Sequence, residues 1–501
     1  MALGHRDQPY DLIVVGGGIN GAGIARDATL RGLKVALFEM RDFSTGATWA
    51  SSGMIHGGLR YLSKDPEVTR LACLDSGFIQ KVAPHLIFRI PFVMPWVAEG
   101  GLMKRVVFEL AEVYFDAYDR YQPLKRGKQH CRLTADETRA VEPGIRPDVL
   151  GALTMDEWGI DAQRLTVVNA VDAAERGAVL KTYTRVERVL RDDNQSVRGV
   201  RVRDRLTGEV SDVFGRAVFN ACGPWADAFA AAQGVRSVQI RPGKGVHLVL
   251  AGRVTNYAVI FSAIDGRQVF ICPHQNVTLI GTTDDDYYGD LEQMPVYEDE
   301  VQYLMQAAER TFPGISRYPL IGTTVGARPT LAEYGPYEDE LSRSHRVFDH
   351  ADDGAAGLFS MAGGKLASYR VMAEEATDVV CRSLGKGAPC STASVALPGG
   401  EAHDTTVEAF TSIGVDAVTA RRILYRHGSR AEKIRQRMIA SPRSRAIVDP
   451  LEPVTEAEIR HCVATEHVRT LDDLKRRCRL GLGADGGARA TVRAPPILIE
   501  E

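Results

Sequence analysis

Asp11-Leu12-Ile13-Val14-Val15-Gly16-Gly17-Gly18-Ile19-Asn20-Gly21 sets a short apolar run directly against a glycine turn. Residues 11–15 are β-branched or aliphatic after the first position, which predicts a strand buried on both faces in a parallel sheet. Residues 22–30 predict a helix, stopped by Gly32. Residues 34–38 predict a second strand, which ends in Glu39. Strand, helix and strand make a βαβ unit. In such a unit each glycine has its own task. Gly16 permits the tight turn, Gly18 lets the backbone approach a pyrophosphate, and Gly21 lets the helix lie close on the strand. The helix N-terminus offers free amides to phosphate. Glu39, 21 positions after Gly18, can accept both ribose hydroxyls of an adenosine. A dinucleotide site follows, but the fingerprint does not separate NAD from FAD.

Further along, the sheet does not resume at once. Strand-like residues return only at 184–190 and 200–204, with a hairpin turn at Thr207-Gly208, and at 217–220 before Ala221-Cys222-Gly223-Pro224-Trp225. The pattern predicts an α/β chain whose Rossmann-type domain is interrupted by insertions that form a second, ligand-covering domain. Residues 236–350 are strand-rich (245–250, 258–261, 269–272 and 277–280) and suit an antiparallel sheet. Residues 361–384 predict a Gly-Gly turn followed by a helix. The expected divisions are 1–90, 160–235 and 350–384 for the cofactor domain, and 91–159 with 236–349 for the substrate-binding cap. A Gly-, Pro- and Ser-rich linker at 385–404 leads to a helical domain at 405–501. In that domain Thr455-Glu456-Ala457-Glu458 has capping-box form, and Leu471, Leu474 and Cys478 stand at helical spacing. The interruption favours FAD, a long cofactor that runs on into a second domain. So does the small, polar run Arg41-Asp42-Phe43-Ser44-Thr45-Gly46-Ala47-Thr48.

Bulk properties exclude several classes. The 501 residues carry a net charge of −3, with 45% apolar and 25% charged residues. These are values of a soluble enzyme without a nucleic-acid-binding surface. The most apolar stretch, residues 90–98, contains Pro91 and Pro95 and is too short to span a bilayer. A cytoplasmic or membrane-peripheral protein is expected. The eight cysteines include no CxxC pair, as fits incidental thiols in a reducing compartment.

Several motifs resemble FAD-dependent glycerol-3-phosphate dehydrogenases, both the aerobic enzyme and the catalytic subunit of the anaerobic one. They are Gly16 to Gly23, Ile55-His56-Gly57-Gly58-Leu59-Arg60-Tyr61-Leu62, Gly281-Thr282-Thr283-Asp284, Gly326-Ala327-Arg328-Pro329 and Gly363-Gly364-Lys365-Leu366-Ala367-Ser368-Tyr369-Arg370. They occur in the family's order across the whole chain. The resemblance implies an FAD-binding domain of the glutathione-reductase type, a substrate-binding sheet and a C-terminal helical domain. It also implies oxidation of sn-glycerol 3-phosphate to dihydroxyacetone phosphate, with electrons passed to quinone or another acceptor. The expected cofactor contacts are Gly16, Gly18, Gly21, Glu39, Thr48, Ser51, His56, Gly57, Val186, Gly223, Gly363 and Gly364.

The reaction needs a phosphate clamp, a base for the hydroxyl proton, and a hydride acceptor. Arg60, Arg328, Arg343 and Lys365 resemble the family's substrate-binding cations, and Tyr61 is expected to line the same pocket. His247, in Gly245-Val246-His247-Leu248, is the candidate base, because an imidazole's ordinary pKa lies near working pH. Its alternative is a hydrogen-bonded histidine in a half-buried strand. His56 is the second candidate and is better placed to pack the cofactor loop. His247, Arg328 and Lys365 are thus the expected catalytic residues. Gly363 and Gly364 are expected to present amides where reduction places negative charge.

The chain also departs from the family pattern. Gly53 stands where the aerobic form commonly has lysine, and Ala367-Ser368 stand where two threonines are expected. Residues 447–490 resemble a small iron–sulfur module fused to some anaerobic-type subunits. Its four cysteine positions are here Asp449, Leu451, Asp485 and Ala490, so no cluster is expected, nor any other metal. Residues 102–118 predict a broadly apolar helix, read either as an interfacial helix on the membrane's inner face or as a core helix. Three functions remain open. The first is glycerol-3-phosphate dehydrogenase; the second is a related oxidase of amines, amino acids or hydroxy acids, which needs one cation for a carboxylate; the third is a flavin-binding subunit without turnover.

Overall fold

The computed structural model describes residues 6–63, 65–97, 102–337, 341–483 and 485–500. The first strand, Tyr10–Val15, is buried along its whole length and lies in the middle of a sheet. It pairs in parallel with Val35–Phe38 on one side and Val210–Asn220 on the other. The sheet extends in parallel to Val179–Lys181 and to Leu358–Gly363. Two-sided burial explains why Tyr10–Val15 and Val35–Phe38 read as unbroken apolar runs. The helix Ile19–Leu30 and the helix Tyr369–Leu384 pack together on one face of this sheet. Gly32, at φ 82°, ends the first of them as expected. The hairpin Val197–Asp204 to Val210–Asn220 turns through Gly208 at φ 80°.

Among the described residues the second sheet has nine strands and is antiparallel except for one parallel pairing, between Ala258–Ser262 and Ile87–Val97. Ile87–Val97, Arg132–Thr134 and Val149–Ile160 join it from the earlier insertion. The strand His345–Asp349, expected with the cap, instead pairs with Leu358–Gly363 in the first sheet. Short loops decide this, since the turn at 350–357 folds the one strand directly back on the other.

The strand Ile240–Ala251 lies near one end of the second sheet, between Val277–Gly281 and Leu320–Leu331. Its side chains alternate between faces. Val246, Leu248 and Leu250 point to a core with Ile280, Leu304, Ala307 and Ala308, the last three from the helix Glu298–Thr311. Each such large aliphatic side chain contributes about 1.5–3 kcal/mol of burial. Gly245 and His247 therefore face the other way, toward the first sheet.

The C-terminal domain is helical, with a small hairpin at Ile447–Asp449 and Val454–Thr455. Its capping box is half formed. Thr455 accepts from the Glu458 amide, but the Glu458 carboxylate pairs with Arg422 and His427 rather than returning to the Thr455 amide. A buried acid gains more from those cationic and imidazole partners than from one amide. Cys462, Leu474 and Cys478 lie in the domain's core, with Leu471 packed at its edge. The helix Leu102–Asp119 splits the two expectations for it. Phe108, Phe115 and Tyr118 are buried, while Leu110 and Val113 are about two-thirds exposed at 64% and 65%. Among the described residues no helix is long and apolar enough to cross a membrane.

Candidate active site

Both sheets line one cavity of about 1290 Å³. At its first end stands the glycine turn. A Cβ on Gly16, which has φ 107°, would sit 2.6 Å from the Ala221 carbonyl oxygen, and one on Gly21 would sit 1.9 Å from the Gly16 oxygen. Those two glycines are thus consumed by the tight turn and by close helix packing. A Cβ on Gly18 would meet only Thr48 Oγ1, at 3.5 Å. The space over Gly18 belongs to the cavity, as an approaching pyrophosphate requires.

Glu39 is held by two backbone amides, Gly17 to Oε2 at 2.6 Å and Arg41 to Oε1 at 2.8 Å. Burial pushes its carboxyl upward, against the pull of those amides. Each oxygen keeps a lone pair for a ribose hydroxyl. Thr48, Ser51, His56, Val186 and Gly223 also line the cavity. These features, with a length that runs from Glu39 to Lys365, fit FAD.

Two expected cofactor contacts are placed otherwise. Gly57 lies behind the wall, where a Cβ would strike Cys73 Sγ at 2.3 Å and Tyr118 Oη at 2.4 Å. Its amide donates to Glu157 Oε2 at 3.1 Å. Gly364 lines the cavity, but its amide already donates to Ser344 O at 2.9 Å and is not free for a ligand. Gly363 and Gly364, both at φ 83°, instead turn the chain so that Lys365 enters the cavity.

At the second end four cations gather. Asp284 accepts from Arg328 Nη1 at 2.8 Å and from Arg343 Nη2 at 2.8 Å, and Arg60 Nη2 lies 3.6 Å away. Burial alone would raise the Asp284 carboxyl, but Arg328, Arg343 and Arg60 outweigh it and hold it below the usual range. Arg328 Nη2 also donates to Thr282 Oγ1 at 2.6 Å and Thr283 O at 3.1 Å. Arg60 donates to Tyr61 Oη at 2.7 Å and stacks 4.9 Å from its ring centroid. Lys365 Nζ stands over the same ring at 4.9 Å and is buried without a hydrogen-bond partner among the described residues. Burial lowers its pKa, against the pull of Tyr61, Cys73 and Glu157. Asp65 and Glu157 also line the cavity, but Glu157 is offset by Lys125 at 2.6 Å, so the four cations leave this end of the pocket electropositive. An unpartnered buried ammonium is costly, and an anionic ligand resolves that cost.

His247 lies on the same face as Arg328. Strand register sets Gly243 opposite Arg328 and His247 opposite Thr324 and Gly281. Two glycines make room for these side chains. A Cβ on Gly245 would sit 2.6 Å from Arg328 Nη2, and one on Gly281 would sit 2.4 Å from His247 Cδ2. Ser52 Oγ lies 2.8 Å from His247 Nε2, and Thr324 Oγ1 lies 3.3 Å from Nδ1. Burial, then Arg328 and His274, bring the imidazole down to about 3. His56 is likewise held well below its ordinary value, by burial and then by Lys365, Arg60 and Lys125. The depressed value leaves the His247 ring neutral at working pH but makes it a weaker base than the ordinary imidazole on which its candidacy rested.

Sequence reasoning assigned no role to Ser52, Thr324 or Asp284. The signal for Asp284 was present in the Gly-Thr-Thr-Asp motif, but an acid is not sought in an anion pocket. Ser52 and Thr324 are ordinary residues whose importance comes only from the ring between them.

Comparisons with known proteins agree with this architecture. Residues 11–370 match the family described as FAD dependent oxidoreductase, and residues 390–500 match the C-terminal domain of alpha-glycerophosphate oxidase. The chain is 33% identical to a subunit of the anaerobic glycerol-3-phosphate dehydrogenase of Escherichia coli K12 over 499 residues, covering 98% of this chain and 88% of that protein. It is also 33% identical to the aerobic glycerol-3-phosphate dehydrogenase of Staphylococcus aureus USA300 over 452 residues, 86% of this chain and 80% of that one. The structure of the glycerol-3-phosphate dehydrogenase from Bacillus halodurans complexed with FAD superposes with a TM-score of 0.75 at 27% identity, covering 99% and 90% of the two chains. The chain is an FAD-dependent oxidoreductase that belongs to the glycerol-3-phosphate dehydrogenase family.

Proposed function

We propose that this chain oxidises sn-glycerol 3-phosphate to dihydroxyacetone phosphate and passes the electrons to quinone or another acceptor. The observation that carries the reading is the convergence of Arg60, Arg328, Arg343 and Lys365 on one pocket beside His247. A carboxylate substrate needs one such cation; a phosphate dianion makes use of several. Bound FAD supplies the acceptor for the hydride lost from the substrate's C2 carbon.

The remaining work falls to the chain's own side chains. Lys365 and Arg60 take the phosphate first, since Lys365 has no competing partner among the described residues. Arg328 and Arg343 are kept in place by Asp284, so their charges face the pocket without reorganising. With its proton on Nδ1 and directed at Thr324, His247 accepts through Nε2, where the Ser52 hydroxyl now bonds. The C2 hydroxyl displaces Ser52 from that nitrogen or reaches it through Ser52. The Tyr61 ring, which lines the cavity, lies 4.9 Å from both the Arg60 guanidinium and the Lys365 ammonium and so holds each of them at the pocket by a cation–π contact.

Anaerobic mixing with glycerol 3-phosphate tests this reading. Bleaching of the flavin's visible absorbance is expected. Bleaching by an amino acid, with none by glycerol 3-phosphate, would overturn it.

The flavin is, on the same reading, the only redox centre of the chain. In the C-terminal domain Asp449 Oδ1 accepts from the Leu451 amide at 3.0 Å and Oδ2 from the Gly481 amide at 2.8 Å. A carboxylate thus ties together by hydrogen bonds the loops that a cluster would join. Iron and acid-labile sulfide are expected to be absent from purified protein, and a stoichiometric amount of either refutes this.

Peripheral contact with the inner face of the cell membrane is the accompanying proposal. Val106, Val107, Leu110 and Val113 form an exposed apolar strip on the helix Leu102–Asp119. The nearby acids Glu109 and Glu112 are both paired with Arg132, which reduces their repulsion from anionic lipid. Flotation with anionic vesicles is expected for the native chain and strongly reduced for Leu110→Glu. Equal flotation of both proteins rules this strip out.

A further inference from the structure

Asp42 lies three residues beyond Glu39 and is not among the expected cofactor contacts, yet it is buried among arginines of the C-terminal domain. Arg477 grips it with both ends of the guanidinium, Nη1 to Oδ2 at 2.7 Å and Nη2 to Oδ1 at 2.8 Å. Arg476 Nε donates to Oδ2 as well. The Arg477 guanidinium also lies 5.5 Å from the Phe43 ring centroid. Phe43 in turn packs on the glycine turn, where a Cβ on Gly17 would meet its ring at 2.9 Å.

The helix that carries these arginines, Asp473–Cys478, touches the opposite wall of the same cavity end. Tyr183 Oη donates to Asp473 Oδ1 at 2.5 Å, and the Tyr183 amide donates to Arg41 O at 2.8 Å. The next amide, of Thr184, donates to Glu39 O at 2.7 Å. Thr184, Arg185 and Val186 line the cavity. One short helix therefore anchors both the loop that presents Glu39 and the strand that faces it. Farther off, Arg164 pairs bidentately with Glu466 at 2.5 and 2.8 Å, and Arg426 with Asp161 at 2.9 Å, so the docking is buried and polar along its length.

We propose that the C-terminal domain is a cofactor-retention element: Arg476 and Arg477, acting through Asp42, hold the loop at residues 39–48 in the shape that binds the adenosine end of FAD. The physical reason is the intolerance of buried ion pairs to separation. If the domain undocks, Asp42 either stays buried without a partner or drags its loop toward water. Linkage makes the effect reciprocal, so FAD stabilises the docking by as much as the docking stabilises FAD. Arg476, Arg477 and Asp42 are positioning residues, because none of them lines the cavity.

The test uses the full chain. Dissociation constants for FAD are measured by titrating apoprotein with FAD, following flavin fluorescence, and hydrogen exchange is followed across residues 470–479 with and without FAD. Asp42→Asn and Arg477→Met are each expected to weaken FAD binding about ten-fold or more, and the double variant to be no worse than the poorer single one. Exchange in the helix Asp473–Cys478 is expected to rise about ten-fold on removing FAD. Ile434→Val serves as comparator, since Ile434 is buried in another core cluster of the same domain and far in sequence from the arginines. It is expected to lower the Tm but to leave FAD affinity within about two-fold. Unchanged affinity in Arg477→Met, an equal loss in Ile434→Val, or helix exchange indifferent to FAD would each overturn the proposal. Should Arg477→Met not fold, Tyr183→Phe removes a single hydroxyl, and about three-fold weaker FAD binding is expected from the lost bond; unchanged affinity there overturns the proposal too.

Discussion

Replacement of Arg328 by leucine is expected to lower kcat/KM for glycerol 3-phosphate by about 10²–10⁴-fold, with FAD still bound. The magnitude follows from what the guanidinium does. The terminal nitrogens already donate to Asp284, Thr282 and Thr283, so one further charge-assisted contact to phosphate, about 1.5–3 kcal/mol, is lost together with the anchoring of Asp284, and each 1.4 kcal/mol is tenfold in rate. Leucine also removes the 2.8 Å partner of Asp284, which leaves that carboxylate to Arg343 and the more distant Arg60. The Asp284 carboxyl then rises, and Arg343 is drawn more firmly to it and away from substrate. Arg328→Lys restores the charge but not the fork that spans Asp284 and Thr282, so it is expected to recover only part of the loss. Glycerol, which has no phosphate, supplies the control. If Arg328 holds phosphate, the already poor turnover of glycerol barely changes. A loss of similar size on both substrates would show that Arg328 maintains the pocket rather than the phosphate.

The second large effect is expected from His247→Gln, which keeps polar contacts to Ser52 and Thr324 but supplies no base. A fall in kcat of about 10²–10⁴-fold is the ordinary cost of losing general-base catalysis. A fall below tenfold would move the role to His56 or to solvent. The pH behaviour of His247 separates its two readings further. Burial and Arg328 hold its pKa at about 3, so the ring stays neutral throughout the working range. Ring resonances of His247 are therefore expected not to titrate between pH 5 and 8, and an inflection near the ordinary value of about 6.5 would contradict the buried placement. The stability consequence has a definite sign. The folded pKa lies below the unfolded one, so the unfolded chain binds the proton more readily. The contribution of this buried neutral ring is complete above about pH 6.5 and is lost as pH falls from there toward 3.

Local patterns account for the parts of the site that were legible. The strand, glycine turn, helix and Glu39 are neighbours in sequence, so their geometry is set by short-range sterics and hydrogen bonds. Gly16 and Gly21 proved to be where a Cβ cannot fit, and the space over Gly18 opened into the cavity. The cations were recognised one motif at a time, from resemblance; nothing in Arg60 or Lys365 as isolated residues distinguishes a ligand from a surface charge. The strand Ile87–Val97 of the first insertion is hidden in the sequence because Pro91 and Pro95 break the pattern that marks a strand, and its partner Val149–Ile160 because Gly151, Gly159 and the acids Asp156 and Glu157 interrupt its apolar residues. The structure tolerates both prolines in Ile87–Val97 alongside its long pairing with Val149–Ile160. The amide of Gly364 was misjudged for a related reason. Its partner, Ser344 O, stands just before a strand that sequence alone assigned to the other sheet.

By itself, then, the sequence determined the nucleotide-binding turn and the two-sheet plan, and motifs resembling a known family named the cations. Each of these is written in adjacent residues or in motifs of fixed spacing. Only the tertiary structure decided what those groups face. It set Asp284 among three arginines, left Lys365 without a partner among the described residues, and pressed His247 between Ser52 and Thr324. It also joined Asp42 to Arg477, 435 positions away. The physical reason is that the charge state and energy of a buried polar group depend on its partners and its access to water, and both are assembled from distant segments only when the chain folds.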